Sequence, residues 1–390
     1  MVLLHNLYTV SESAEKETIV VDRGLIQDIY KHDPSPRDLR TEISLSFEDS
    51  MVYPGLINSH EHLEFNLFPA LGEGIYNNYI EWGTDIQKRE SALINKVLAV
   101  PLELRVQWGI YKNILNGVTT IVNHGMPLTI NSDEATVIQK CLSLHSVRFE
   151  KGWLRKLNNP FMGDKPVVIH IGEGTDDTAK KEIDEFIRWN LLNKKIIGVH
   201  GVAMTSNQAS AFDGLIWCPA SNYFLFGKTA EVDKLAQNTR IVFGTDSTLT
   251  ADWNLWQHLR LARNEEKVSD ECLVNMLTST PAVLWGLRNS GKIAAGYNAD
   301  LVVAKMKVKS DTMESFFKGN PEDILLVMHN GEILIFDEDL SDQIKANDVY
   351  YPHYSKIYMN NCAKYVKGDL PALMDKIRKY YPEAIFPICR

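Results

Sequence analysis

The chain has few cysteines, and none is placed to build a fold around. Among 390 residues there are five: Cys141, Cys218, Cys272, Cys362 and Cys389. The number is odd, the positions are scattered and no C-x-x-C pair occurs, which excludes a disulfide framework and a thiolate zinc site and leaves buried, reduced thiols as the expectation. Also missing is an apolar run long enough to cross a bilayer. The opening stretch, Met1-Val-Leu-Leu-His-Asn6, lacks the basic segment and apolar core of a secretory leader, so no membrane partner and a cytoplasmic location are expected. Positive charge is in deficit too. Lysine and arginine total 41 against 50 acidic residues, a net charge of -9, which opposes a nucleic-acid partner because binding to the phosphate backbone needs clustered cations.

What is present is an ordinary globular composition, 45% hydrophobic and 23% charged. The length exceeds one small core and suits a large barrel-type domain with a smaller companion. Residues 1–50 alternate apolar and polar in short runs, such as Thr18–Asp22 and Leu25–Tyr30, as strands of a small sheet do. The same texture returns at Asp300–Ala304 and Ile324–Phe336, where Asn330-Gly331 between two apolar runs predicts a hairpin. Residues 1–50 and 290–340 are therefore expected to build one composite sheet domain beside the central one.

Between them, short apolar runs alternate with helical patterns, the mark of a parallel sheet with crossover helices. Leu104, Trp108, Tyr111 and Leu115 outline one helix face. Strands are predicted at 52–58, 119–123, 166–169, 196–199, 215–218 and 241–244, with another near 146–149. The interval from His124 to His170 has room for two strand–helix units but offers one convincing strand. The last segment, 341–390, is rich in tyrosine (Tyr350, Tyr351, Tyr354, Tyr358, Tyr365, Tyr380 and Tyr381). It is expected to be a helical tail packed on the barrel or on a neighbouring subunit, which would make the protein a homo-oligomer.

Five histidines, His60, His62, His124, His170 and His200, lie at or just after predicted strand ends. In a (β/α)₈ barrel those ends form the active-site face. Residues two apart on a strand project to the same side, so His60 and His62 can share one metal ion. His170 ends Val167-Val-Ile-His170 and Asp246 ends Ile241-Val-Phe-Gly-Thr-Asp246. Three imidazoles and a carboxylate, with a position left for water, suit one divalent transition metal, zinc ahead of iron, better than calcium or magnesium. A lone histidine is more often a satisfied core group; the His-x-His pair with ligands at later strand ends reverses that preference.

Linked motifs run in a set order: Pro54-Gly-Leu-Ile-Asn-Ser-His-Glu-His62, His170-Ile-Gly-Glu173, His200, Cys218-Pro-Ala-Ser-Asn222, Thr245-Asp246-Ser247, Thr280-Pro-Ala, and Gly291 to Val302. Together they resemble the amidohydrolase superfamily, in its cytosine deaminase, guanine deaminase and chlorohydrolase branch. The resemblance implies a distorted TIM (β/α)₈ barrel over residues 51–289 beside a composite β-sandwich assembled from both chain ends. It also implies a metal held by His60, His62, His170 and Asp246, with Glu173, His200 and Asp246 in catalysis. The activity implied is hydrolytic deamination of a small amino-substituted heterocycle by a metal-bound hydroxide. Asp246 would take the water proton, His200 would orient the nucleophile or stabilise the intermediate, and Glu173 would protonate the ring and the departing amine.

Glu64 and Asn66 follow the first ligand strand, and with His124 they are candidates to contact substrate; a loop carboxylate and a hydrogen-bonded core histidine are the structural alternatives. Arg148, in the cluster His145, Arg148, Lys151 and Arg155, is a candidate contact for an anionic group, against the reading of a solvated basic face. Trp153 reads as packing. Ser221 and Asn222 read as loop-fixing residues, with Asn222 also a candidate beside the substrate. Competing activities are hydrolysis of an amide, a cyclic amide or a halogenated ring at the same metal; a non-catalytic metal-binding protein is the alternative outside enzymology.

Overall fold

Alternation of apolar and polar residues at both ends of the chain resolves into strands of one sheet in the computed structural model, which describes residues 1–10, 15–31, 43–130, 133–346 and 353–390. The N-terminal strands are β1 (Val2–Thr9), β2 (Lys16–Asp22), β3 (Leu25–Tyr30) and β4 (Ile43–Pro54). The central strands are β5 (Leu56–Glu61), β6 (Val118–Asn123), β7 (Thr136–Ile138), β8 (Leu142–Ser146), β9 (Val167–Ile171), β10 (Ile196–His200), β11 (Gly214–Trp217) and β12 (Arg240–Phe243). The C-terminal strands are β13 (Leu301–Lys305), β14 (Ile324–His329), β15 (Glu332–Asp337), β16 (Tyr354–Met359) and β17 (Cys362–Lys367).

The two ends of the chain meet in a nine-stranded mixed sheet, ordered β16-β17-β15-β14-β13-β4-β1-β2-β3. In place of two separate layers this is one continuous ladder, and it curls so that Ile19 and Ile26 share a core with Leu325, Ile333 and Phe336. The hairpin forms at Asn330-Gly331, where both residues take the left-handed backbone (φ 48° and 79°) that a two-residue turn requires. The expected helical tail is corrected: β16 and β17 extend the sheet through β15, and among its described residues helices occupy only Ser341–Ala346 and Leu370–Arg378. Alternating Tyr354, Tyr358 and Tyr365 serve as strand residues there, and Tyr350 and Tyr351 fall outside the described residues.

The central strands pair in parallel and in sequence order, β5-β6-β7 in one sheet and β8-β9-β10-β11-β12 in another. Every residue of β5, β6, β9, β10 and β11 is buried, as expected when helices cover one face and packed side chains fill the other. Long amphipathic helices supply that cover. In Asp177–Arg188, for example, Asp176 caps the start by accepting from the Ala179 N–H, and Ala179, Ile183 and Phe186 form the buried stripe.

The two sheets adjoin at two seams. At one, a single bridge joins Glu61 to Asp246, with the Asp246 N–H donating to His60 O (3.0 Å) and the His62 N–H to Asp246 O (3.2 Å). At the other, β7 runs into β8 through Gln139, Lys140 and Cys141 alone, so no helix crosses between them. The predicted strand near 146–149 is displaced: β8 ends at Ser146 and a turn follows, in which the Ser146 hydroxyl accepts the Phe149 N–H. The thiols are free, as expected, but Cys218 is the buried one and Cys389 is exposed.

Candidate active site

Three strand ends converge on one point. His60 and His62 lie at the end of β5, His170 on β9, and Asp246 three residues past β12. The His170 Nε2 is 3.2 Å from His60 Nε2 and 3.4 Å from His62 Nε2, and Asp246 Oδ1 lies 3.6 and 3.7 Å from the same two nitrogens. Close approach is allowed because residue 244 is glycine; a Cβ there would come within 2.7 Å of the His60 Cβ. Asp246 and His200 both hold a left-handed backbone (φ 62° and 72°), a conformation that ordinary residues adopt at an energetic cost and that recurs at functional sites.

Three imidazole nitrogens that face one another repel unless a cation lies between them. His60, His62 and His170 form the group suited to hold a metal ion among the described residues. Ligand atoms 2.0–2.2 Å from a tetrahedral zinc lie roughly 3.3–3.6 Å apart, close to the separations found here, so the residues fit such an ion. Burial keeps the His60 and His170 imidazoles below their usual pKa, hence neutral, the form that ligates. For Asp246 burial works against the anion, but the facing His60, His62 and His200 rings prevail and hold the carboxyl well below its usual range. Ser221 and Thr250 hydroxyls each donate to Asp246 Oδ2 at 2.8 Å, which aims Oδ1 at the histidines.

Beside these ligands stands a second pair, with the His200 ring 5.3 Å from that of His170. Glu173 Oε1 is 3.7 Å from His200 Nε2. Burial pushes the Glu173 carboxyl well above its usual range, and the nearby Asp246 and Glu182 carboxylates push it further. His200, lowered by burial to about 4, donates from Nδ1 to Asn222 Oδ1 at 2.9 Å, so its Nε2 is a bare acceptor. A protonated acid beside a neutral base is an arrangement able to deliver and receive a proton at neutral pH.

Both pairs open onto a cavity of about 910 Å³. Phe65, Trp82, Ile86, Met126, Phe149 and Leu249 give it apolar walls, and Glu64, His124 and His145 are polar groups in its lining. His124 Nε2 donates to Leu144 O at 3.0 Å, leaving Nδ1 without a partner, and Glu64 Oε2 is likewise unpartnered.

Other candidates lie elsewhere. Arg148 points outward to Glu185 (3.0 Å), which corrects its place beside the substrate. Asn66 sits behind the site, donating to Glu61 Oε1 at 3.0 Å. Asn222 is fully buried against His200 and holds that ring without lining the cavity. Trp153 packs on Phe186.

Several residues of the site went unread in the sequence. Glu61 pairs with Lys112 at 2.7 Å in the interior. Glu182 is buried on the helix after β9 and accepts from the Gly172 N–H (3.1 Å) and the Tyr79 hydroxyl (3.0 Å). Its signal was available: Ala179, Glu182, Ile183 and Phe186 follow the apolar period, so a carboxylate stands in a core stripe. His145 belongs to the cavity and not to a basic face.

Residues 149–334 match the family model described as the amidohydrolase family. A 5-methylthioadenosine/S-adenosylhomocysteine deaminase of Pyrococcus furiosus is 24% identical over 86% of this chain and 94% of its own length. A 5'-deoxyadenosine deaminase of Methanocaldococcus jannaschii is 22% identical over 90% and 99%. Among solved structures, an adenosine deaminase from Xanthomonas campestris with bound zinc superposes with a TM-score of 0.72 at 16% identity, covering 98% of each chain. The fold is of the TIM-barrel-like α/β kind, and the site's three histidines are grouped as a metal ion requires. Over residues 149–334 the chain is similar to the amidohydrolase family.

Proposed function

We propose that the protein is a zinc-dependent deaminase that removes the exocyclic amino group of an amino-substituted heterocycle by hydrolysis, with a nucleoside related to adenosine as the substrate class. The observation that carries this reading is the presence, side by side in one cavity, of a metal-ligand set and a buried carboxyl, Glu173, held protonated. A halide leaving group departs as an anion and has no use for that proton. The deaminase names of the related chains support the same class, and a cavity of about 910 Å³ has room for a nucleoside-sized molecule.

His60, His62, His170 and Asp246 would hold the ion. When bound, such an ion lowers the pKa of water from 15.7 to about 7 and so supplies a nucleophile at neutral pH. The chain's own groups do the rest. Glu173 gives its proton to the ring nitrogen next to the carbon under attack, so that electron density has somewhere to go. Asp246 accepts the proton released by the attacking water, and His200, steadied by Asn222, hydrogen-bonds the new hydroxyl through Nε2. As the carbon–nitrogen bond breaks, the amine leaves with a returned proton as ammonia. Glu64 and the free Nδ1 of His124 are acceptors facing the cavity and bind donor groups of the substrate.

The eight parallel strands are read as a distorted (β/α)₈ barrel over residues 51–289 that lacks the helix between β7 and β8. Residues 1–50 and 290–340 make the companion sheet domain, to which the 341–390 tail adds two strands. The test is a panel of aminopurines and aminopurine nucleosides, including 5'-methylthioadenosine, assayed for ammonia with zinc-loaded protein. Ammonia release from none of them, with acid formed from amide or cyclic-amide substrates instead, would replace deamination with amide hydrolysis.

A further inference from the structure

Glu61 stands between two of the proposed ligands, but strand alternation turns its side chain away from them into the protein interior. There it is fully buried and fully bonded. Oε2 accepts from Lys112 Nζ (2.7 Å), Asn58 Nδ2 (3.1 Å), Asn113 Nδ2 (3.0 Å) and the Thr245 hydroxyl (3.1 Å). Oε1 accepts from Asn66 Nδ2 (3.0 Å) and the His62 N–H (3.2 Å). Lys112 is itself 2% exposed and also donates to the Thr245 hydroxyl at 3.2 Å. Asn58 completes the circuit, its Oδ1 accepting the Thr245 N–H at 3.1 Å.

These contacts fall on the seam between β5 and the end of β12, where a single bridge replaces a ladder. His60 and His62 come from one side of that seam and Asp246 from the other. The hydrogen bonds between backbones are few, so side chains must set how far apart the two ligand groups sit. Thr245, the neighbour of Asp246, is gripped from β5 by Asn58 and Glu61 and from the helix Leu102–Ile114 by Lys112.

We propose that Glu61 and Lys112 are positioning residues whose buried ion pair sets the spacing between the His60–His62 pair and Asp246, and so sets affinity for a divalent transition metal. The inference rests on the metal site proposed above. Groups that orient metal ligands from behind are typically worth 10–100-fold in affinity, and a buried pair broken on one side leaves an uncompensated charge that distorts its surroundings.

The protein carries its own control. Lys364 is equally buried and pairs with Asp337 between β17 and β15, with no link to the site. The experiment strips the full-length protein of metal and titrates zinc against a chromophoric chelator. Lys112→Met is expected to bind zinc 10–100-fold more weakly. Lys364→Met should lose comparable thermal stability but keep wild-type zinc affinity. Should Lys112→Met fail to fold, Thr245→Val, which removes one arm of the hub and keeps the shape, should weaken zinc severalfold. Wild-type affinity in a folded Lys112→Met or Thr245→Val, or equal weakening by Lys364→Met, overturns the proposal. A wild-type protein that takes up no zinc sinks the metal site itself, and the hub's role with it.

Discussion

Two buried carboxyl groups stand at or behind the site on the seam side and two on the β9 side, and their surroundings treat them in opposite ways. On the seam side, Asp246 and Glu61 face imidazoles, hydroxyls and the Lys112 ammonium, and Asp246 is held as an anion. On the β9 side, Glu182 meets only a tyrosine hydroxyl and a backbone N–H. Burial raises it to about 7 and raises Glu173 well beyond the usual range. The residue type does not decide protonation; the donors within reach of each oxygen do. A hydrolytic site needs both states, one to hold a cation and accept a proton, the other to supply one.

Breaking the metal-ligand set should have the largest effect. Asp246→Asn or His170→Ala is expected to abolish metal uptake and turnover together, as read by elemental analysis beside the ammonia assay. On the β9 side, Glu173→Gln should leave metal content intact and lower kcat by about 10²–10⁴-fold, the usual worth of a positioned proton donor. The wild-type rate should fall as pH rises through the raised Glu173 pKa, and a flat alkaline profile would remove Glu173 as the donor.

Glu182 sharpens the contrast through stability. The folded chain keeps its proton to about pH 7, whereas the unfolded chain releases it near the ordinary value of 4.5. Folded-state stability is therefore greatest below the lower value and declines as pH rises toward the upper one, by an amount on the order of 1–3 kcal/mol. Glu182→Gln should flatten that decline in denaturant titrations run between pH 4.5 and 7.5; an unchanged slope would show that Glu182 is not the group that titrates. The smallest effect is expected of Asn222→Ala, which frees the His200 ring at the loss of one hydrogen bond of about 1 kcal/mol. It should lower kcat roughly fivefold with zinc affinity unchanged.

Regular strands were easy to read because a fully buried parallel strand leaves an unbroken apolar run. Val167–Ile169 and Ile241–Phe243 are such runs, and the polar residues that end or follow them lie at the site. The β7–β8 region was not, because a three-residue strand has too little pattern to stand out, and the missing crossover helix removes the spacing that would flag it. The tail misled because tyrosine suits a strand and a packed helix alike. Arg148 looked available to a ligand since nothing in its neighbourhood of sequence announces Glu185, 37 positions on. Glu61 stayed hidden for a different reason: beside two histidines it looks like part of the same face, and only its helix partner Lys112, 51 residues away, reveals which way it points.

β4 belongs to the composite sheet and β5 carries His60, and Gly55 alone lies between them, its N–H donating to Asp300 O while the next N–H donates to Gly117 O. A side chain at 55 would collide with Thr119. The histidine-bearing strand is thus the tip of a beam whose root is clamped in the other sheet. Neither part can be cut out and produced alone with the site intact, and a loosened clamp at β1 or β13 would reach the histidines as a change of angle before it was felt as unfolding.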